Sequence, residues 1–134
     1  MRKVVKFGGS SLASAEQFRK VGEIIRADES RRYVVPSAPG KRFSADTKVT
    51  DLLYQCYQAA EKGGAEFQAL LSEIKSRYQE IIDGLELSIS LEEDFGLIEE
   101  NFKKQIGEEY AASRGEFLNG KVMADYLGFE FVDA

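Results

Sequence analysis

Histidine and tryptophan are absent from the sequence, and cysteine and proline are rare, with one and two residues. The absence of histidine excludes Ser–His–Asp and Cys–His catalysis, and together with the single cysteine it excludes the usual Cys and His ligand sets for zinc. That cysteine, Cys56, cannot form a disulfide within the chain and is typical of a reducing compartment. Any chemistry must therefore rely on lysine, arginine, carboxylates, hydroxyls or backbone N–H groups.

Long apolar runs are also missing. No stretch approaches the roughly 20 apolar residues that a helix needs to cross a bilayer. The first residues, MRKVVKFGG, are basic but lack the apolar region and the small-residue cleavage site of a signal peptide. With 134 residues, 43% hydrophobic and 31% charged, the chain is predicted to form one soluble domain that is cytoplasmic and has no membrane partner.

Charge is distributed unevenly along a chain whose net charge is −5. Residues 1–50 contain 11 Lys and Arg against 5 Asp and Glu, whereas residues 51–134 contain 7 against 18. A basic N-terminal part suits an anionic ligand such as a phosphate, although solvated surface charges would give the same counts. The acidic remainder argues against nucleic acid as a partner.

The first residues have the pattern of a strand, a glycine turn, a helix and a second strand. Residues 2–7, RKVVKF, are predicted to form a buried strand that ends at Gly8 and Gly9, and a capping box from Ser14 to Gln17 predicts a helix over 15–28. The second strand is predicted at residues 32–36. Parallel pairing would place both following loops at one edge of the sheet, where open α/β sheets bind ligands.

The rest of the sequence is mainly helical in its periodicity. Four further helices are predicted, at residues 50–62, 67–82, 91–106 and 114–127. Gly63 and Gly64 separate the first two of these helices, and Gly84 and Gly128 are each placed just past the end of a helix. These glycines divide the predominantly helical segment into units of ordinary length.

Two short segments between and after these helices are ambiguous. Residues 85–91 alternate like a strand, but we interpret them as a connector because Ser90 and Glu93 form a capping box that opens the next helix. Residues 129–134 are predicted to form a third strand. The order of elements is that of the first part of a larger α/β domain.

Lys6, Gly8 and Gly9 form the first candidate site. Glycines allow the backbone to approach a ligand closely, and the amides of such a turn bind anions together with a following helix. Lys6 would add a positive charge beside them, whereas the alternative is a tight turn with a solvated lysine. The dinucleotide fingerprint is absent, and GEFLNGKV at 115–122 is not a P-loop because Val122 replaces the required Ser or Thr.

Four other polar residues stand at predicted element ends. Ser37 follows the second strand and is either a turn serine or part of the same site. Thr50 and Asp51 precede an apolar helix, and either could be its N-cap. Glu116 completes a capping box with Ser113, so its carboxylate either caps a helix or holds an ammonium group.

Three stretches taken together resemble the aspartate kinase family. VVKFGGSSLAS at the N-terminus is similar to the family's opening strand, which carries Lys-Phe-Gly-Gly-Ser/Thr-Ser. VVPSAPGKRF…TKVTDLL resembles its second element, a strand ending in Ser-Ala, then a glycine loop, then Thr-Asp or Thr-Asn before Leu-Leu. SRGEFLNGKVMADYLG is similar to its third, a Gly-Glu at the start of a helix that packs on the sheet.

The resemblance implies an α/β fold, the amino-acid-kinase three-layer α/β/α sandwich on a mainly parallel sheet. This chain would hold its N-terminal portion, with about three parallel strands and five helices. The implied activity is transfer of the γ-phosphoryl group of Mg-ATP to the side-chain carboxylate of L-aspartate. The product, 4-phospho-L-aspartate, leads to lysine, threonine and methionine.

The resemblance also implies roles for individual residues. Lys6 would be catalytic by stabilising the transferring phosphoryl group. Contacts to the phosphates of ATP would come from the end of the first strand and its turn, at Lys6, Phe7, Gly8, Gly9 and Ser10. Aspartate would be bound by Ser37, Thr50 and Glu116, the last through the ammonium group. Phosphoryl transfer asks mainly for positioning and charge neutralisation, so the lack of histidine is no obstacle.

Two departures from the family's pattern affect this site. The glycine loop is lengthened by KRFSADTK, residues 41–48, which directly precedes Val49 and Thr50. Asn119 stands three residues after Glu116, where the family often has a serine. The first departure concerns the alignment of Thr50, and the second concerns a neighbour of Glu116.

Residues 1–134 are expected to be the N-terminal part of an aspartate kinase catalytic domain, with a helical segment at 50–112. The remaining strands, the Mg²⁺ ligands and the ACT regulatory domains would follow, so the chain alone is expected to show at most trace activity. Two alternatives remain open. One is another kinase of the same fold, and the other is a non-catalytic module that forms a homo-oligomer through an exposed sheet edge.

Overall fold

A computed structural model describes residues 3–132, with Arg32 described by its backbone alone. In chain order the elements are β1 (Lys3–Phe7), a 3₁₀ helix (Gly9–Leu12), α1 (Ala15–Arg26), β2 (Arg31–Pro36), α2 (Val49–Ala60), α3 (Ala65–Gly84), α4 (Glu92–Lys103) and α5 (Glu108–Leu127). Over the described residues, the fold therefore combines five α-helices with a small parallel sheet.

The sheet consists of β1 and β2, paired in parallel as predicted. Lys6 lies opposite Val35, and the register is irregular between Lys3 and Val4. Side chains alternate between the two faces, so that Phe7 and Val34 pack against the core while Lys6 and Val35 are exposed. Parallel pairing places the loops that follow both strands at the same edge of the sheet.

The third predicted strand is not formed over its described part, so this prediction is wrong for residues 129–132. These residues have no regular secondary structure, and residues 133–134 lie outside the described part of the chain. A strand needs a neighbour for its backbone groups, and alternation of apolar residues does not supply one. Phe131 instead packs edge-to-face on Phe117 of α5, with 5.5 Å between ring centroids.

Several predicted helix ends are confirmed. Ser14 Oγ accepts a hydrogen bond from the Gln17 N–H at 3.4 Å and caps α1. Gly63 and Gly64 separate α2 from α3 with φ values of 68° and 84°, which residues with a side chain rarely adopt. Gly128 ends α5 in the left-handed conformation. The connector at 85–91 contains no strand.

Gly84 does not lie just past the end of α3, so its predicted placement there is wrong. It is the last residue of α3, and the left-handed conformation falls on Glu86, with a φ of 58°. Packing explains the glycine, because a Cβ at this position would lie 2.5 Å from the Cβ of Ala15. Arg19 reinforces this contact between α1 and α3 by donating a hydrogen bond to the Gly84 carbonyl.

The starts of α4 and α5 also differ from the predicted ones. Leu91 is the N-cap of α4, and Ser90 Oγ accepts from the Glu92 N–H at 3.3 Å rather than from Glu93. Helix α5 begins at Glu108, well before residue 114. The polar residues at 108 and 109 obscured the apolar period, so the early turns of this helix were not recognised.

The core lies among the helices and under one face of the sheet. It includes the fully buried side chains of Phe18, Leu53, Phe67, Tyr78 and Phe102. Cys56 belongs to this core, as predicted, and burial raises the pKa of its thiol to about 12. No helix in the described part of the chain is long and apolar enough to span a membrane.

Candidate functional site

The loop at residues 37–40, called here the 37–40 loop, connects the segments that carry the predicted site residues. The Ser37 N–H donates to the Phe7 carbonyl at 3.1 Å, which ties the loop to the end of β1. The Gly40 N–H donates to the Gly9 carbonyl at 2.8 Å. The Val49 N–H donates to the Pro39 carbonyl at 3.0 Å, which anchors the start of α2 on the same loop.

Gly9 and Gly40 are required by the close approach of two turns. A Cβ on Gly40 would lie 2.6 Å from the Gly9 carbonyl carbon and 2.8 Å from the Ser10 nitrogen. A Cβ on Gly9 would lie 2.9 Å from the Ala38 carbonyl oxygen. The tight-turn interpretation therefore holds for Gly9.

Gly8 has neither a steric nor a conformational need for glycine within the described structure. Its φ is −76°, and a Cβ built on it would meet nothing within 4 Å. The residue is exposed and immediately precedes the 3₁₀ helix, whose first amides have no acceptor inside the helix. The turn thus leaves open space next to the first N–H groups of this helix.

The other residues of the first motif differ in exposure. Lys6 is exposed near the end of β1, and its side chain makes no hydrogen bond or ion pair with the described residues. Ser10 is exposed in the 3₁₀ helix. Phe7 is half-buried and packs against the core, so its side chain is structural and its carbonyl anchors Ser37.

Thr50 and Asp51 lie in the first turn of α2, and neither is its N-cap. The N-cap is Lys48, without a side-chain hydrogen bond, because the helix begins at Val49. The capping interpretation of Thr50 and Asp51 is therefore wrong. Thr50 is half-buried, two residues beyond the N-cap, which is the last residue of the 41–48 insertion.

Glu116 lies in the interior of α5, so it is not part of a capping box. Ser113, its predicted partner, donates from its Oγ to the Tyr110 carbonyl at 2.8 Å within the same helix. The carboxylate of Glu116 is exposed and lines a cavity of about 940 Å³ between β2, α5 and residues 128–132. Gly115, one residue earlier, contacts the 37–40 loop, since a Cβ there would lie 2.6 Å from the Ala38 Cβ.

Two buried residues that the sequence reasoning did not assign to the site hold α5 in place. Asn119 is fully buried and donates from Nδ2 to the Ser37 carbonyl at 2.8 Å, while its Oδ1 has no partner among the described atoms. Tyr78 of α3 is fully buried and donates from its hydroxyl to the Gly115 carbonyl at 2.8 Å. The replacement of the family's usual serine was the only sequence signal for Asn119.

The insertion at residues 41–48 is ordered against α3. Arg42 donates two hydrogen bonds to the carboxylate of Asp46, at 2.7 and 3.1 Å. It also contacts the carboxylate of Glu80 on α3 at 2.9 Å. The guanidinium of Arg42 holds the pKa of Asp46 well below its usual range, with a smaller contribution from Arg77. The Asp46 side chain is only 9% exposed.

The lowered pKa of Asp46 predicts acid destabilisation. Its contribution is complete above the unfolded-state pKa of about 3.9 and is lost as the pH falls from there through the lower folded-state pKa. Asp46→Asn should therefore shrink the difference in unfolding free energy between pH 7 and pH 3 by about 1 kcal/mol. Urea denaturation at both pH values measures this difference.

The control for this experiment is Asp125→Asn on α5. It removes an exposed carboxylate that makes no ion pair with the described residues. Equal pH dependence in Asp46→Asn and the unmodified chain would contradict the assignment of the acid-sensitive interaction to Asp46.

Within the described residues, no group of three or more His, Cys, Asp or Glu side chains could hold a metal ion. The segments carrying Lys6, Ser37, Thr50 and Glu116 nevertheless meet around one loop at the carboxyl edge of the sheet. This arrangement combines a positive charge, backbone amides, hydroxyls and a carboxylate. Such a set can bind an anion beside a molecule that bears an ammonium group.

Comparison with known proteins agrees with this architecture. A profile described as the amino acid kinase family matches residues 1–131. Aspartokinase 3 of Bacillus subtilis is 41% identical over 140 residues, covering 98% of this chain and 30% of that protein. A bifunctional aspartokinase/homoserine dehydrogenase of Daucus carota is 30% identical over 79 residues, covering 59% of this chain and 8% of that protein. The chain thus spans less than a third of the length of each of these relatives.

Solved structures show the same fold. The crystal structure of Clostridium acetobutylicum aspartate kinase superposes with a TM-score of 0.91 at 45% identity, over 98% of this chain and 30% of that one. E. coli aspartokinase III in complex with aspartate and ADP, which shows the fold alone, gives 0.72 at 22% identity, over 96% and 29%. The predicted fold class and the resemblance to aspartate kinases are therefore confirmed. The chain belongs to the amino acid kinase family.

Proposed function

We propose that this chain is part of an aspartate kinase that transfers the γ-phosphoryl group of ATP to the side-chain carboxylate of L-aspartate. The observation that carries the proposal is the meeting of the candidate segments around the 37–40 loop. Support comes from the 45% identity to Clostridium acetobutylicum aspartate kinase. Because the chain spans 30% of that enzyme, the complete activity is proposed for a protein that contains this chain.

The phosphate side of the proposed site is the turn after β1. The open space at Gly8 and the amides at the start of the 3₁₀ helix suit an anionic oxygen. The exposed ammonium group of Lys6 would neutralise charge that develops on the transferring phosphoryl group. Phe7 would hold the turn through its packing and its carbonyl, with Ser10 available at the turn's exposed side.

The aspartate side lies across the 37–40 loop. Ser37 and Thr50 would bind aspartate through their hydroxyls, and Glu116 would pair with its ammonium group. The structure removes the competing cap assignments for Thr50 and Glu116, which leaves both side chains free of a capping role. Fixed positions of this kind lower the cost of bringing two anionic reactants together.

ATP is proposed as the co-substrate, together with Mg²⁺, in the cytoplasm. E. coli aspartokinase III has been crystallised with aspartate and ADP, which supports adenine nucleotide as the phosphoryl donor for a protein of this fold. Mg²⁺ bound with the nucleotide would neutralise part of the phosphate charge. Its ligands are not assigned to residues of this chain, and a homo-oligomer through the sheet edge stays a prediction.

The test is a titration of the chain with L-aspartate, followed by backbone amide shifts in NMR. Saturable shifts are expected near Ser37, Thr50 and Glu116, and Glu116→Ala should abolish them because the ammonium group loses its partner. Glu109→Ala removes an exposed glutamate from the first turn of the same helix and is the matched control. The shifts should survive in that variant.

Other ligands separate the alternatives. Equal shifts with L-glutamate or with UMP would favour another kinase of the same fold. Silence toward aspartate in a folded chain would contradict aspartate binding by these residues. Tight self-association in sedimentation experiments, without any ligand response, would favour the non-catalytic assembly module.

A further inference from the structure

Arg77 on α3 is buried, which is unusual for its chemistry. It is 3% exposed, and no other charged residue is buried among the residues whose side chains are described. Burial of a guanidinium is unfavourable unless its N–H groups find acceptors. The acceptors of Arg77 therefore indicate why the residue stands there.

The acceptors are two backbone carbonyls on either side of residues 41–46, the larger part of the insertion. Arg77 Nη2 donates to the Gly40 carbonyl at 2.7 Å, and Nη1 donates to the Thr47 carbonyl at 2.7 Å. The carboxylate of Asp46 lies 3.6 Å from Nη1 and compensates the charge. One planar guanidinium thus joins the two ends of residues 41–46.

Both of these carbonyls belong to segments that carry the proposed site. Gly40 donates its N–H to the Gly9 carbonyl, so it is directly linked to the glycine turn after β1. Thr47 precedes the Lys48 N-cap of α2, and the next residue, Val49, is bonded to Pro39. The Arg77 guanidinium therefore holds two stretches of main chain. One is at Gly40, which is linked to the glycine turn after β1, and the other is at Thr47, just before the helix that carries Thr50.

The contacts on the outer side of the insertion are more exposed. Arg42, whose side chain is 29% exposed, binds Asp46 and Glu80, and the Glu80 side chain is 57% exposed. The ion pair between Arg42 and Glu80 contributes little to stability at this exposure. The two carbonyl hydrogen bonds of Arg77 are buried or partly buried, so they dominate the closure of the insertion.

We propose that Arg77 is a positioning residue for the aspartate site, acting by closing the ends of residues 41–46 against α3. This inference rests on the proposed function, because it assigns a purpose to the geometry around Thr50. Arg77 contacts none of the proposed ligand residues. Its effect on aspartate runs through the main chain at Gly40 and Thr47.

The experiment compares Arg77→Met and Arg77→Lys with Arg26→Met. Lysine keeps the positive charge but lacks the planar fork that reaches two carbonyls at once. Arg26 also donates to a backbone carbonyl, that of Tyr126 at 3.1 Å, so its removal is a matched change between α1 and α5. Each variant of the 134-residue chain is first tested for folding and unfolding free energy.

The first measurement is hydrogen exchange at the amides of Gly40 and Val49. Arg77→Met should accelerate exchange at both at least tenfold beyond any change shared by the amides of α4. Arg26→Met should leave both within twofold of the unmodified chain. A role confined to overall stability would change all slowly exchanging amides together.

The second measurement is the dissociation constant of L-aspartate from the NMR titration. Arg77→Met should weaken aspartate binding at least tenfold, and Arg77→Lys should weaken it nearly as much. Arg26→Met should change the dissociation constant less than twofold. Unchanged aspartate binding in folded Arg77→Met would overturn the proposal. If Arg77→Met does not fold, Arg77→Lys decides by the same criteria.

The two measurements test different parts of the proposal. No aspartate response in the unmodified chain would contradict the proposed function, and with it the assignment of Arg77 to an aspartate site. Hydrogen exchange would then still test whether Arg77 closes the ends of residues 41–46. Unchanged protection at Gly40 and Val49 would overturn the closure of the insertion by Arg77, and faster exchange there would support it.

Discussion

Gly40→Ala is expected to lower the free energy of unfolding by about 3 kcal/mol, because the added Cβ meets backbone on the opposite turn. The nearest atoms would be the carbonyl carbon of Gly9 at 2.6 Å and the nitrogen of Ser10 at 2.8 Å. Backbone atoms cannot rotate away as a side chain can. One of the two turns must move, and the hydrogen bond from the Gly40 N–H to the Gly9 carbonyl is then lost.

Gly96→Ala is the matched control for this prediction. Gly96 lies inside α4, and a Cβ on it would meet nothing within 4 Å. Alanine is favoured over glycine in a helix, so this variant should gain about 0.5 kcal/mol. Urea denaturation of both variants gives the comparison, and an unaltered midpoint for Gly40→Ala would refute the close packing of the two turns.

Tyr78→Ala is expected to cost about 4 kcal/mol of unfolding free energy, since it empties a fully buried aromatic site. The ring also lies 6.2 Å from that of Phe95, and its hydroxyl donates to the Gly115 carbonyl. The variant therefore loses contacts to α4 and α5 together. Denaturation midpoints and far-ultraviolet circular dichroism would measure the loss.

Two milder substitutions divide this effect into its parts. Tyr78→Phe keeps the ring and removes only the hydroxyl, so it should cost about 1 kcal/mol. Tyr54→Ala removes a tyrosine that is 37% exposed on α2 and should cost less than Tyr78→Phe. Similar stability of Tyr78→Ala and Tyr54→Ala would contradict the buried position of Tyr78.

Features that depend on neighbouring residues could be predicted from the sequence. The cap at Ser14 requires only a hydroxyl and an amide three residues away. The helix break at Gly63 and Gly64 and the end of α5 at Gly128 require only the freedom of glycine to adopt positive φ. The parallel pairing of β1 and β2 followed from the order of strand, helix and strand.

Features that depend on distant partners could not be predicted in this way. Gly84 looked like a helix terminator, but its lack of a side chain serves the contact with Ala15 in another helix. The third strand had an alternating sequence, yet residues 129–132 pack Phe131 on α5 instead of pairing. A local pattern does not tell which of two surfaces a segment will contact.

The candidate site shows the same division. Parallel pairing predicted that the loops after β1 and β2 would meet at one edge of the sheet. The segments of Thr50 and Glu116 were added to the site by the resemblance to aspartate kinases. The capping alternatives for Thr50 and Glu116 remained open until the starts of α2 and α5 were located. Arg77 and Asn119 were not assigned to the site, because their acceptors are backbone carbonyls far away in sequence and carry no side-chain signature.

Because Arg77 holds both Gly40 and Thr47, the distance between these two residues does not depend on the number of residues between them. Phe43, Ser44 and Ala45 are exposed, while Gly40 and Thr47 are fixed to the same guanidinium. A flexible loop between fixed ends costs only about 0.6 kcal/mol for each doubling of its length. Residues added at the exposed tip should therefore leave the residues on either side in place, which makes this tip a suitable position for an added peptide or label.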